Sequence, residues 1–247
     1  MKLAIISDIH GNSFALDRVL EAIADEGITQ IICLGDLALQ GFDPAGSIRR
    51  IAELGIPTVR GNTDDMILNG LPNNPNAEGL LGVRNGWYRW QESVIGESER
   101  AFLSTLPATF EVEIDGVPLV AYHGSPKSYN DPVLPGTPVE TIEEYFAGID
   151  APLLAGGHTH NLMLRRWGGR SIINPGTVGL PFFRLAIPDR PSVSWAEFAV
   201  VSVDGGKIDI TFRYIPIQHE AIAEAVRASG MPDPDVWLEG WSGDWPV

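Results

Sequence analysis

The N-terminal part of the chain alternates between short apolar runs and one amphipathic segment, and this alternation constrains the fold more than any other feature. Residues 3–6 and 28–34 are apolar runs typical of strands that are buried on both faces. Between them, apolar residues recur at helical spacing over 16–23, with Ser13 as the expected N-cap and Gly27 as the expected end. A strand–helix–strand unit predicts a parallel sheet, because the helix returns the chain to start a second strand in the same direction.

The remainder of the chain continues this mixture of helices and strands. Periodicity and turn residues predict helices over 45–54, 97–106, 139–146 and 219–229, and short strands over 56–59, 152–155 and 171–173. Asp-Gly turns predict two hairpins, 109–114 with 117–122 and 197–203 with 207–214. The sequence contains no internal repeat and no linker, so we expect a single α/β domain over residues 1–247.

Two segments fit this pattern less well. Residues 65–95 are interrupted by prolines and glycines and end in an aromatic cluster. We interpret them as an excursion from the core, either a rim or lid over a pocket or a surface loop anchored by its aromatic side chains. Residues 231–247 form an aromatic tail, for which we expect a packing or dimer role. Its tryptophans are spaced four residues apart: Trp237, Trp241 and Trp245.

The charge balance limits the classes of ligand. The chain has 247 residues, with 17 Lys+Arg, 32 Asp+Glu and a formal net charge of −15. Because nucleic-acid affinity comes mainly from basic residues that neutralise phosphates, we expect no long nucleic acid as a partner. A small anionic substrate would need another source of positive charge, such as a metal ion.

Cysteine content and hydropathy indicate the compartment. The single cysteine, Cys33, lies in an apolar run, which predicts a buried hydrophobic side chain and excludes an internal disulfide. The first apolar run is too short for a signal peptide, and no apolar stretch approaches the length of a membrane span. We therefore expect a soluble cytoplasmic protein without a membrane partner, and we leave open whether it is a homo-oligomer.

Polar motifs follow the predicted strands at five points of the chain. The carboxyl ends of strands are where ligands bind in an open α/β sheet, so these motifs are expected to converge. Alternate residues of an extended backbone face the same side, so the Asp-x-His and His-x-His pairs can each aim two side chains at one point. The candidate metal ligands are Asp8, His10, Asp36, Asn62, His123, His158 and His160.

The composition of this set points to two metal ions. Two carboxylates, one amide oxygen and four imidazoles are more ligands than one ordinary site needs. They suit two ions roughly 3.5–4 Å apart that share a bridging carboxylate. Nitrogen and oxygen ligands without sulfur favour Mn, Fe, Ni, Co or Zn. Any one of these residues alone would more often be a cap, a turn residue or a structural histidine, and we expect that role for His219, outside every motif.

The ordered motifs resemble those of the calcineurin-like metallophosphoesterase superfamily. The strings Ser7-Asp8-Ile9-His10-Gly11-Asn12 and Ile173-Asn174-Pro175-Gly176-Thr177-Val178-Gly179 are similar to its small bacterial and archaeal phosphodiesterase branch. The similarity runs from residue 3 to about residue 180. It implies a four-layer α/β/β/α sandwich with a dinuclear metal site between the sheets, at the carboxyl ends of the strands.

The resemblance also implies a role for each candidate ligand. The first metal would be held by Asp8, His10, Asp36 and His160. Asp36 would bridge to a second metal, held also by Asn62, His123 and His158. A hydroxide bridging the two metals would attack phosphorus in line, and the cations would stabilise the developing charge.

One residue departs from the family pattern. Phosphatases of this superfamily commonly carry a histidine after Gly-Asn as the acid for the leaving group, with the next Asp orienting it, and here that position is Thr63. A threonine hydroxyl is far too weak an acid for this role near neutral pH. Asp64 is then expected to cap a helix. We expect hydrolysis of small phosphodiesters with good leaving groups and poor activity on alkyl monoesters.

Two alternative functions stay open. One is a scaffold resembling the retromer subunit of this fold, whose pocket binds a partner; the complete ligand set disfavours it. The other is a protein or dinucleoside-polyphosphate phosphatase, which Thr63 disfavours. Three residues are weaker candidates for substrate contacts: Asn12, otherwise a turn residue; Arg60, otherwise an ion-pair partner; and Arg184.

Overall fold

The structure is a computed structural model that describes residues 1–71, 77–180 and 194–241. Its strands are β1 (Lys2–Ile6), β2 (Gln30–Cys33), β3 (Phe110–Ile114), β4 (Val117–Ala121), β5 (Leu153–Ala155), β6 (Met163–Trp167), β7 (Arg170–Asn174), β8 (Trp195–Asp204) and β9 (Lys207–Pro216). Its helices are α1 (Ser13–Asp25), α2 (Pro44–Leu54), α3 (Asn62–Asn69), α4 (Gly79–Val94), α5 (Glu97–Thr105), α6 (Val139–Tyr145), α7 (His219–Ala228) and α8 (Pro234–Leu238).

The strands form two sheets. The first has the order β2-β1-β8-β9, in which β1 and β2 are parallel, with Leu3 opposite Gln30, and the other pairs are antiparallel. The second has the order β3-β4-β5-β7-β6, with a parallel centre of β4, β5 and β7. The predicted strand–helix–strand unit and both predicted hairpins are therefore confirmed.

Side-chain alternation along the strands produces four layers. Leu3 and Ile5 of β1 belong to an apolar cluster between the two sheets, whereas Ala4 and Ile6 pack with α1 on the outer face. On the second sheet, Val120 of β4 packs outward in a cluster that includes side chains of α6. The α/β/β/α sandwich is confirmed, and both faces of each sheet are covered as parallel strands require.

The start of α1 differs from the prediction by one residue. The Asn12 side chain accepts a hydrogen bond from the Ala15 N–H at 3.0 Å, so Asn12 is the N-cap. Ser13 is the first helical residue, and its hydroxyl donates to Asp43 at 2.6 Å. Gly27 follows the end of the helix and has a φ of 67°. This left-handed conformation, which glycine adopts readily, agrees with the predicted role of Gly27 in ending the helix.

Two strand predictions need correction. The strand predicted over 56–59 is reduced to one bridge between Thr58 and Cys33. Pro57 has no N–H to donate, and the Arg60 N–H turns away to bond the Pro107 carbonyl, so the ladder stops. Strand β6 was not predicted at all, although a Gly-Gly turn joins it to β7.

Most of the described part of the segment 65–95 is helical. Helix α3 extends to Asn69, residues 72–76 lie outside the described part, and α4 begins at Gly79. The loop interpretation is therefore wrong for α4, because tertiary contacts hold it in place despite its glycines. The Trp87 indole donates to the Pro232 carbonyl at 2.8 Å, and Gln91 is fully buried.

The aromatic tail packs into the core. Trp237 and Trp241 are both buried and stack with ring centroids 5.8 Å apart, while Trp245 lies outside the described residues. The packing role expected of the tail is confirmed at these two positions. Within the described ranges, no helix combines the length and the apolar character that a membrane crossing requires.

Candidate metal centre

The candidate ligands converge because each follows a strand or begins a helix at the same edge of the sandwich. Asp8 and His10 follow β1, and Asp36 follows the parallel β2. His123 follows β4 of the second sheet, and the His-x-His pair follows β5. Asn62 is the first residue of α3. Carboxyl ends of parallel strands from both sheets therefore meet here.

A continuous series of close contacts joins all seven side chains. His160 Nε2 lies 3.2 Å from Asp8 Oδ1 and 3.0 Å from His10 Nε2. Asp36 faces His10 with Oδ2, at 3.6 Å, and His123 with Oδ1, at 3.4 Å. Asn62 Oδ1 completes the series: it lies 3.0 Å from His123 Nε2 and 2.8 Å from His158 Nδ1.

Two groups within this cluster have metal-ligating atoms within 4.8 Å of one another: Asp8 with His10 and His160, and Asp8 with Asp36 and His123. All five residues are buried. Asp8 belongs to both groups, and the two oxygens of Asp36 face histidines of different groups. Both carboxylates therefore lie between the two halves of the cluster.

Backbone carbonyls fix the orientation of three imidazoles. The Nδ1 atoms of His10, His123 and His160 lie 2.7–2.8 Å from the carbonyl oxygens of Leu39, Leu34 and Leu180. A carbonyl only accepts, so each Nδ1 carries a proton and each ring directs its Nε2 into the centre, where a neutral ring offers a lone pair. This outer hydrogen bond is the usual arrangement of a metal-binding histidine.

The inner atoms of the cluster bring several lone pairs close together. Asp8 Oδ1 is buried and has no hydrogen bond among the described residues, and the Nε2 atoms of His10 and His160 face each other at 3.0 Å. Lone pairs that converge in a buried space repel unless a cation or a proton lies among them. The donor set, carboxylate and amide oxygens with imidazole nitrogens, fits divalent metal ions.

The pKa values follow the same electrostatics. Burial lowers the pKa of His10 to about 4, which favours the neutral ring. Burial also opposes protonation of His123, but Asp36 outweighs it and raises the pKa of His123 to about 9. Likewise, burial disfavours the Asp36 carboxylate, yet His123 holds the pKa of Asp36 well below its ordinary value. In the absence of a cation, a proton on an imidazole therefore balances these carboxylates.

Five of the candidate ligands adopt backbone conformations that residues other than glycine rarely take. Positive φ angles occur at Asp8 (54°), His10 (47°), Asp36 (56°), His158 (66°) and His160 (55°). Each such conformation costs on the order of 1–3 kcal/mol and persists only where the surroundings enforce it. Their concentration in one cluster indicates a functional site.

Asp64 and Gln91 support the backbone around the candidate ligands, and the sequence predicted a role only for Asp64. Asp64 does take part in capping a helix, but it does so as the third residue of α3, where it accepts the N–H of the N-cap residue Gly61 at 2.9 Å. It also accepts the Asp36 and Leu37 N–H groups. Burial and the charge of Asp36 raise the pKa of Asp64 to about 7. Gln91 of α4 donates to the Gly41 carbonyl at 2.7 Å and so supports the loop behind His10.

The predicted substrate-binding residues have other partners in the structure. Asn12 is fully buried; besides capping α1, it donates to the Gly179 carbonyl at 3.3 Å. Arg60 donates to the Ser104 carbonyl at 2.9 Å and lies 3.5 Å from Asp65, as its ion-pair alternative predicts. A substrate contact by either residue stays a prediction, and Arg184 lies outside the described residues.

The fold and the cluster together define an α/β sandwich with a candidate metal centre at the carboxyl ends of its strands. The family model for the calcineurin-like phosphoesterase superfamily domain matches residues 1–231. The chain therefore belongs to the calcineurin-like phosphoesterase superfamily. This membership supports a hydrolase of phosphoester bonds, and the Asp and His cluster supports the binding of divalent metal.

Relatives and solved structures agree with this assignment. An uncharacterized protein of Methanocaldococcus jannaschii is 29% identical over 84% of this chain and 85% of its own length. Phosphodiesterase YfcE of Escherichia coli K12 is 28% identical over 73% of this chain and 81% of its own. A metallophosphoesterase structure from Sphaerobacter thermophilus superposes with a TM-score of 0.71 at 25% identity, covering 97% of this chain and 99% of that one.

Proposed function

We propose that this chain is a metal-dependent phosphodiesterase that hydrolyses small phosphodiesters. The main observation behind this proposal is that the continuous cluster of seven candidate ligands occurs together with threonine at position 63. The relative from Escherichia coli is named a phosphodiesterase, which agrees with this choice within the phosphoesterases.

The proposal assigns two divalent ions, from Mn, Fe, Ni, Co and Zn, to the cluster. Asp8, His10, Asp36 and His160 would hold the first ion. Asn62, His123 and His158 would hold the second. Asp36 would serve both ions, since its two oxygens face histidines of both halves. Such ions supply Lewis acidity toward phosphoryl oxygens and make water nucleophilic near neutral pH.

The residues of the chain orient this chemistry. The carbonyl-bonded imidazoles cannot rotate without losing a buried hydrogen bond, so their inner nitrogens keep one direction. Burial of both carboxylates excludes water from their oxygens and strengthens their attraction for cations.

Thr63 supports the preference for diesters. Its side chain is buried, and its hydroxyl has no hydrogen-bond partner among the described residues. Its N–H donates to Asp36 Oδ1 at 2.8 Å. Position 63 thus contributes backbone support to a ligand and supplies no proton to a leaving group. Substrates whose leaving group departs without a proton are favoured over alkyl monoesters.

A phosphoester panel tests the substrate class. Protein loaded with Mn2+ should hydrolyse bis(p-nitrophenyl) phosphate much faster than an alkyl phosphomonoester. Equal rates on both would contradict the inference from Thr63. Absence of hydrolysis on every phosphoester by metal-loaded protein would instead favour a partner-binding scaffold.

Metal analysis tests the ligand assignment separately. Asp36→Asn should abolish hydrolysis and remove at least one metal equivalent per chain in elemental analysis. Asp17→Asn, a change at an exposed acid of α1, serves as the matched control and should retain both properties. Retention of two metals and full activity by Asp36→Asn would refute the assignment.

A further inference from the structure

Strand β9 is a long edge strand. Its ten residues, Lys207–Pro216, pair with β8 on one side, and no strand among residues 1–71, 77–180 and 194–241 pairs with its other side. An edge of this length exposes a row of backbone donors and acceptors that another strand can pair with.

The hydrogen bonds of the sheet show which residues present these groups. Strand β8 pairs with β9 in the register Trp195 opposite Pro216, and the Ile217 N–H donates to the Ser194 carbonyl in the same register. In an antiparallel ladder, residues alternate between bonding their neighbour and pointing away from it. Odd-numbered residues of β9 therefore bond β8. The residues whose N–H and C=O groups point outward are Ile208, Ile210, Phe212 and Tyr214.

We propose that a second copy of this chain pairs with β9 in an antiparallel arrangement centred on Thr211. In this register, Ile208 lies opposite Tyr214 of the second copy, and Ile210 lies opposite Phe212. All four outward-pointing residues then form hydrogen-bonded pairs. A register centred on Ile210 or Phe212 leaves the outward groups at one end of each strand without a partner. The two-fold symmetry of the arrangement makes one surface serve both copies.

Charges on the strand favour the same register. A twofold axis at Thr211 places Asp209 of each copy directly opposite Arg213 of the other, so the interface contains two such pairs. Directly opposed residues on one face of an antiparallel pair have Cβ atoms roughly 4.5–5.5 Å apart, within reach of an ion pair. The alternative centres bring Asp209 or Arg213 opposite Thr211 instead.

The Arg213 side chain is already positioned at the edge. Its Nε and Nη2 atoms bond Glu26 at 2.6 and 2.9 Å, which fixes the guanidinium plane. Its Nη1 donates to the Phe212 carbonyl oxygen at 3.3 Å, one of the outward-pointing acceptors, which keeps a second lone pair for a partner strand. The third nitrogen thus lies beside the open edge, where Asp209 of a second copy would approach.

The apolar face of the strand adds a second attraction. Ile208 is 39% exposed, while Ile210 and Phe212 are partly buried against the cluster between the sheets. Pairing with a second copy extends the sheet and covers these side chains with Tyr214 and Phe212 of that copy. Cross-strand pairs of aromatic and β-branched residues stabilise such a ladder.

Sedimentation velocity over a concentration series tests the proposal. The wild-type chain should sediment as a dimer, and two single substitutions should convert it to a monomer. Asp209→Lys places like charges opposite each other, and Ile208→Lys removes an apolar contact. Glu111→Lys makes a matched charge change on β3, the edge strand of the other sheet, and should leave the dimer intact. Circular dichroism and melting curves confirm that the variants are folded.

Hydrogen exchange gives a readout that needs no substitution. The amides of Ile210 and Phe212 should become more protected as the concentration of wild-type protein rises. A monomer at every concentration would overturn the proposal. The same holds if these amides are protected in the monomer, because another segment of the same chain would then cover the edge of β9. A dimer that persists in both β9 variants would also overturn it, because the interface would then lie elsewhere.

Discussion

Gln91→Leu tests whether helix α4 supports the metal centre. The Gln91 side chain is fully buried, donates to the Gly41 carbonyl at 2.7 Å and accepts the Gln40 N–H at 3.3 Å. The preceding residue of that loop, Leu39, accepts the Nδ1–H of His10. Leucine has a similar size and makes neither hydrogen bond, so the change removes the support while filling the space.

The expected loss of stability follows from these two bonds. Each neutral hydrogen bond contributes about 0.5–1.5 kcal/mol net, and a buried group left unsatisfied costs about 1–3 kcal/mol. The buried Gly41 carbonyl is the main loss, because the Gln40 bond is long and only partly buried. We expect a decrease of about 2–3 kcal/mol in the free energy of unfolding. For a chain of this size that corresponds to a fall of roughly 5–10 °C in the melting temperature.

Thermal unfolding with and without Mn2+ separates support of the fold from support of the centre. A ligand that binds only the native state adds RT ln(1 + [L]/Kd), so displacement of His10 should reduce the stabilisation by added metal. Glu92→Leu, at the exposed neighbouring position of α4, is the control and should change the stability by less than about 0.5 kcal/mol. Unchanged stability in Gln91→Leu would refute the hydrogen-bond argument. A stability loss with unchanged metal stabilisation would refute the coupling to His10.

Two further substitutions probe other parts of the structure. Gly179→Ala would place a Cβ atom 1.6 Å from the Ile9 carbonyl oxygen, so we expect a loss of about 3 kcal/mol or more in denaturant unfolding. Gly86→Ala in α4 meets no atom within 4 Å and should instead be neutral or stabilising; an equal loss in both variants would contradict the packing argument. Burial opposes ionisation of Glu99, but hydrogen bonds that include one from Arg49 outweigh it and lower its pKa. Glu99→Gln should therefore lower the free energy of unfolding by up to about 1 kcal/mol at neutral pH. This difference from the wild type should disappear as the pH falls through the lowered pKa of Glu99. A difference that does not depend on pH would refute this account.

The strands and the cluster could be predicted because their signals are local. A buried strand such as β1 is an uninterrupted apolar run, and the ligands that follow it stand at its end in the sequence. Sheet topology then brings the strand ends together without further information from the loops. The seven candidate ligands could be proposed from the sequence for this reason.

Helix α4 could not be predicted because its stability is tertiary. Glycines at 79, 82 and 86 weaken any local helical preference, by roughly 1 kcal/mol each relative to alanine. Contacts made by Trp87 and Gln91 with distant parts of the chain offset this loss. The sequence contains no periodic pattern from which these distant contacts could be predicted. Strand β6 could not be predicted for a related reason. It is an edge strand in which apolar and polar residues do not alternate, because Leu164 lies on its exposed side next to the buried Met163.

The string from Asn174 to Gly179 contains no ligand, yet its contacts explain why it accompanies the ligand motifs. The Thr177 hydroxyl donates to the Asp8 carbonyl at 2.8 Å, and the Asn174 amide donates to the Gly157 carbonyl at 2.7 Å. The last residue of β7 and the loop after it thus hold the backbone of candidate ligand segments from both sheets, where positive φ angles would otherwise relax. The separation between the two ligand groups therefore depends on this loop as well as on the packing of the sheets. If the proposed metal assignment holds, changes in the string should shift metal affinity at both groups together, whereas a change at a single candidate ligand should act on its own group first.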